Sequence, residues 1–97
     1  MKFRFHPEAL EEYDDSARYY FSISPLVAGR FVEEIEKAIR RMRRHPTAWA
    51  MVDEDVRRCL LKRFPFGIYF TIESDHLLIV AVMHLSRKPG YWKDRVM

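Results

Sequence analysis

The chain of 97 residues contains a single cysteine, Cys59, so no disulfide can form within it. In "RRCLLKR" that cysteine reads as a small apolar core residue. Glycine is scarce: Gly29, Gly67 and Gly90 lie far apart, which excludes a glycine-rich loop cradling phosphates. His6, His45, His76 and His84 lack the close spacing of paired metal ligands, so neither a metal nor another cofactor is expected. The longest apolar run starts at Leu77 and is over by His84, far too short to span a bilayer. The opening "MKFRFHPEAL" has no apolar core of a signal peptide. The expectation is a cytoplasmic protein with no membrane contact. Repeats and low-complexity segments are missing too.

What is present suits one folded domain over residues 1–97: 48% of the residues are hydrophobic and 14% aromatic, which argues against disorder. The net charge of +3 hides a sharper pattern. Residues 1–39 carry five basic and eight acidic side chains, and residues 40–63 carry eight and three. Residues 64–83 have no Lys or Arg, and residues 84–97 have four basic and one acidic side chain. If the two basic blocks meet in space they form a cationic surface for phosphates or an acidic protein. The alternative is two separate solvated faces.

Phe3 and Phe5 alternate with Lys2, Arg4 and His6, which predicts a short half-buried strand. Pro7 suits a first helical position, and Glu8, Glu11 and Glu12 suit the positive helix end. Leu10, Tyr13, Ala17 and Tyr20 recur at helical steps, so a helix is expected from about Pro7 to Phe21. Ser24-Pro25 caps a second helix with the stripe Val27, Phe31, Ile35, Ala38 and Met42, ending near His45 because Pro46 follows. "PTAWAMVDED" reads as a loop. "VRRCLLKRF", "FGIYFTIE" and "HLLIVAVMHL" read as three strands of an antiparallel meander. The fold expected is α+β, in the order βααβββ, with a helical hairpin on a mainly antiparallel twisted sheet. In the last strand both alternating sets are apolar, so it should be central, with His84 continuing the set Leu78, Val80 and Val82. In the first meander strand Arg58 and Lys62 should share a face with Leu60, and Arg57 and Arg63 the other.

Chemistry concentrates in "VAVMHLSRKPGYWKDR". Ser86 lies two residues from His84, but nothing marks an oxyanion hole or an orienting acid, so serine hydrolysis is discounted. What remains is metal-free: His84, Arg87, Lys88 and Tyr91, joined by Arg57, Arg58, Lys62 and Arg63. Metal-free RNA cleavage needs these residue types: a base for the ribose 2′-hydroxyl, an acid for the leaving 5′-oxygen, and cations for the phosphorane charge. The plainer alternatives are a satisfied histidine at the sheet edge for His84 and a tail packed over the core for Tyr91 and Trp92.

The order of elements and the strand-end residues resemble the RelE/ParE superfamily of toxins from bacterial type II toxin–antitoxin modules. "PEALEEYDDSARYY", "SPLVAGRFVEEIEKAI" and "HPTAW" resemble the family's helical hairpin and its exit. "VRRCLLKRFPFGIYFTIE" resembles its first meander strands, and "IVAVMHLSRKPGYWKDR" its last strand and tail. The resemblance implies a growth inhibitor neutralised by a cognate antitoxin, as in plasmid-stabilising modules. RelE-like members cut mRNA on the ribosome without metal, whereas ParE-like members poison DNA gyrase. By position Arg58, Lys62, Arg87, His84 and Tyr91 are the catalytic candidates the resemblance offers. Arg57, Arg58, Lys62, Arg63, Arg87, Lys88, Lys93 and Arg95 are the candidates for contacting nucleic acid or another target. The spacing from Arg87 to Tyr91 is shorter than in RelE-like enzymes and contains Pro89-Gly90. The long helical hairpin and the His84-x-Ser86-Arg87 ending lean toward the ParE-like branch. Both mechanisms require the basic residues at 57–63 to lie beside those just past position 83.

Overall fold

The computed structural model describes residues 1–96. The chain forms β1 (Lys2–Phe5), α1 (Pro7–Ile23), α2 (Pro25–Arg44), β2 (Met51–Asp53), β3 (Val56–Leu60), β4 (Phe66–Ile72) and β5 (His76–His84), with short 3-10 turns at Pro46–Ala48 and Lys93–Arg95. One five-stranded sheet has the order β1-β5-β4-β3-β2, with β1 parallel to β5 and the remaining pairs antiparallel. This is the expected α+β architecture, a helical hairpin on a mainly antiparallel sheet, with β5 in the interior.

Local chemistry explains the hairpin. His6 caps α1 by accepting the Glu8 N–H at Nδ1, and Pro7 fills the first helical position, where no N–H is needed. Ser24 ends one helix and starts the next: its N–H donates to Tyr20 O, and its Oγ accepts from Val27 N–H. Its extended backbone, followed by Pro25, turns the chain back. The buried stripe Ala28, Phe31, Ile35, Ala38, Ile39 and Met42 faces the sheet. Phe31 is fully buried among Tyr20, Phe64 and Phe66, with ring centroids 5.1, 5.2 and 5.0 Å away. Removing such a ring costs about 3–5 kcal/mol.

Three expectations are corrected. First, the segment read as a loop before β3 contains β2, which pairs with β3 through Met51 and Arg57. All three β2 residues are exposed, so no alternation marks them, and only pairing makes them a strand. Second, β3 ends at Leu60 rather than running on to Phe64. Glu34 on α2 accepts the N–H groups of Lys62 and, at 2.9 Å, of Arg63, which draws the chain out of the sheet. Lys62 and Arg63 are therefore loop residues and share no strand face with Arg58 or Arg57. Third, the β4–β5 register slips between Tyr69–Ala81 and Phe70–Ile79, leaving Val80 in a bulge. Leu77, Ile79 and Val82 pack in the helix-side core, while Val80, Ala81 and Met83 join the core on the other face. His84 lies against Phe66 of the helix-side core, ring centroids 5.2 Å apart. The bulge, invisible to strict alternation, separates His84 from Leu78 and Val80.

Candidate functional site

The sheet has a second core on the face away from the helices. It is built from Val56, Tyr69, Val80, Ala81 and Met83 and closed by Trp92 from the C-terminal tail. Trp92 is 3% exposed and its ring lies 5.5 Å from that of Tyr69. The tail can fold back because Gly90 takes a φ of +82°, a conformation that side-chain-bearing residues rarely adopt.

One carboxylate anchors this tail. β1 stops pairing with β5 at Phe5 and Ile79, so the outer edge of β5 beyond that point has no neighbouring strand. Glu12 of α1 takes the vacant place and accepts the Val82 N–H at 3.0 Å. Arg95 grips the same carboxylate with two parallel bonds, Nη1 to Oε1 at 3.1 Å and Nη2 to Oε2 at 3.0 Å. Its Nη1 also donates to Val80 O at 2.9 Å. The Tyr91 hydroxyl donates to Glu12 Oε2 at 2.6 Å. The Arg87 guanidinium lies over the Tyr91 ring, 3.9 Å from its centroid, with Nη1 3.9 Å from Glu12 Oε2. Burial, then the hydrogen bond to Glu12 and its charge, push the Tyr91 phenol well above its ordinary pKa, against the pull of Arg87 and Arg95. Tyr91 is a phenol committed to a carboxylate.

Arg58 stands elsewhere on the same face. It lines a groove of about 340 Å³ with Val52, Tyr69, Met83, Gly90 and Trp92, and with Asp53 and Lys93, whose charged ends are 3.5 Å apart. Gly67 makes room for it: a Cβ there would come within 2.9 Å of the Tyr69 ring and 3.4 Å of the Arg58 stem. From stretch 57–63 only Arg58 lines this groove, and past position 83 it meets Pro89, Gly90, Trp92 and Lys93 there, not His84 or Arg87.

The remaining candidates go to other places. Arg57 donates Nη1 to Thr47 O and Trp49 O, at 3.2 and 2.9 Å, and braces the turn that leads into β2. Lys62 and Arg63 are exposed on the loop beside α2. His84 Nδ1 accepts the Ser86 N–H at 3.0 Å and meets the Ser86 hydroxyl at 2.7 Å, which closes the turn after β5. Lys88 is exposed just before Pro89. Neither His84 nor Tyr91 lines the Arg58 groove.

The arrangement can therefore hold an anion at Arg58, but neither of the expected proton carriers, His84 and Tyr91, is brought to it; the titratable groups beside it are Tyr69, Lys93 and Asp53. Glu12 is the residue that sequence reasoning missed. It reads there as one of several acids at a helix start, and the available signal was its spacing: Glu8 and Glu12 lie one turn apart and both reach Arg95. No helix among the described residues is long and apolar enough to cross a membrane. Among the described residues, no three His, Cys, Asp or Glu side chains gather as a metal site requires.

The profile of the family described as "ParE toxin of type II toxin-antitoxin system, parDE" matches residues 3–89. A solved structure titled "Chromosomal ParDE TA system from P. aeruginosa" superposes with a TM-score of 0.75 at 20% identity, covering 87% of this chain and 95% of that one. No curated protein matches at the sequence level.

Proposed function

This chain belongs to the ParE toxin family and is the toxin component of a ParDE-type type II toxin–antitoxin system, and from that premise we propose that it stops growth by binding DNA gyrase rather than by cutting RNA. One observation carries the choice. The two groups expected to move protons, Tyr91 and His84, stand away from Arg58: the Tyr91 hydroxyl donates to Glu12, His84 Nδ1 accepts from Ser86, and neither residue lines the groove of Arg58. A metal-free ribonuclease needs an acid and a base within hydrogen-bond reach of the phosphate it cleaves. A binding poison needs only a shaped, charged surface, and the loop cations Lys62 and Arg63 and the tail cations Arg87 and Lys88 are all exposed for one.

On this reading the protein acts in the cytoplasm, where its target works, and a cognate antitoxin masks it until needed. The test is controlled induction while DNA, RNA and protein synthesis are followed separately. The expected result is that DNA synthesis falls first and that purified toxin traps gyrase on cleaved DNA. If translation falls first, with cuts at set codon positions in mRNA, the RelE-like activity is the right one.

A further inference from the structure

The Arg58 groove holds a cation that the fold leaves unpaired. The Arg58 side chain has no hydrogen bond or ion pair with any described residue. Trp92 forms part of the same wall, with its indole N–H buried behind the ring. The site is also built: Gly67 leaves space for the Arg58 stem, and Gly90 turns the tail so that Trp92 closes the wall.

Resting on the antitoxin partnership of the family, we propose that this groove receives one carboxylate side chain, an Asp or Glu with apolar neighbours, from the antitoxin. Two features select that ligand. The groove carries Arg58 and Lys93 against Asp53, a surplus of one positive charge, which matches one carboxylate and not a polyanion, and a planar carboxylate can take the Arg58 guanidinium in two parallel bonds. The other walls, Val52, Tyr69, Met83 and Pro89, suit apolar side chains flanking the acid.

The neighbouring groove argues against a nucleic-acid strand. It is larger, about 970 Å³, shares Asp53 and Lys93 with the first, and is rimmed by Glu54, Asp55 and Glu73, while its other cations are taken, Arg57 by the Thr47 and Trp49 carbonyls and Arg95 by Glu12. A phosphate backbone leaving Arg58 along this face would run into those carboxylates, whereas a peptide can place one acid at Arg58 and neutral or basic residues beyond it.

The test uses the whole toxin and the antitoxin encoded beside it. Affinity is measured by calorimetry for wild type, Arg58→Ala, Arg58→Lys, Trp92→Phe and the control Arg18→Ala, with circular dichroism on each. Arg58→Ala should weaken binding about tenfold to a hundredfold. Arg58→Lys should recover part of the loss, Trp92→Phe should lose a few-fold, and Arg18→Ala should match wild type. In ¹⁵N spectra the Trp92 indole signal should shift in the complex, as the acid seats against the wall that its ring forms, and that of Trp49 should not. Unchanged affinity in folded Arg58→Ala with an unmoved Trp92 signal overturns the inference and leaves the module intact. A wild-type toxin that ignores its antitoxin removes both. Loss of RNA cleavage in Arg58→Ala with full antitoxin affinity makes the groove a phosphate reader and also overturns the inference.

Discussion

The two faces of one sheet solve different problems. On the helix side, Phe31, Ile35, Met42, Phe66, Phe70 and Leu77 form a dry core in which ring meets ring. On the other side only Val56, Tyr69, Val80, Ala81, Met83 and Trp92 are buried together, and the cover is a tail pinned by Glu12. Packing holds the first face and a polar clamp holds the second. The difference teaches where function can reside: two helices cover the first core, whereas a face closed by a short tail leaves the Arg58 groove along its margin.

Breaking each face should show the contrast. Phe31→Ala should cost about 3–5 kcal/mol in chemical denaturation and abolish growth inhibition with it, because the loss falls on the helix-side core against which the sheet is built. Glu12→Ala should cost about 3 kcal/mol, since Arg95 is left without its carboxylate in a site where its side chain is 9% exposed. Its distinctive readout is Trp92 fluorescence shifting red below the denaturant midpoint, as the tail leaves before the helix side melts. If the two halves still unfold together, the tail is not an independent layer. Tyr91→Phe should cost about 1.5–3 kcal/mol, the range for a hydrogen bond to a charged group.

Alkaline titration sharpens the comparison, because each face owns raised phenols, Tyr91 on one and Tyr13 with Tyr20, the latter raised by burial, on the other. Burial, with Glu12 behind it, raises Tyr91; burial, with the charge of Glu36 and a 3.0 Å hydrogen bond to it, raises Tyr13. A phenol whose folded pKa exceeds its unfolded one adds stability in full below the unfolded value of about 10. That contribution is lost as pH climbs through the folded value. Stability should therefore fall above about pH 10, and Tyr91→Phe should flatten that fall. The smallest effect should be Arg58→Ala, within about 0.5 kcal/mol of wild type, because nothing in the fold depends on its charge. A large destabilisation there would make Arg58 part of the clamp's structural role and erase the distinction between the faces.

Much of this was legible in advance. The Ser24-Pro25 cap, the α2 stripe and the interior position of β5 follow from spacing and local chemistry. Tyr91 and Arg95 read as chemical residues, but their joint attachment to Glu12 spans some eighty positions of sequence, and no periodicity reports a contact at that range. Lys62 and Arg63 continue a β-like run, and Glu34 on a distant helix draws them out of the strand. Strict alternation puts His84 with Leu78 and Val80, and the Val80 bulge reverses the count.

By itself the sequence determined the elements, their order, the apolar stripes and the family, because caps, turns and periodicity act between near neighbours. Only the tertiary structure decided which cations are spent and which are free. A charge is silenced or left available by the partner that folding brings to it: Arg95 meets Glu12, Arg57 meets two carbonyls, and Arg58 meets open space.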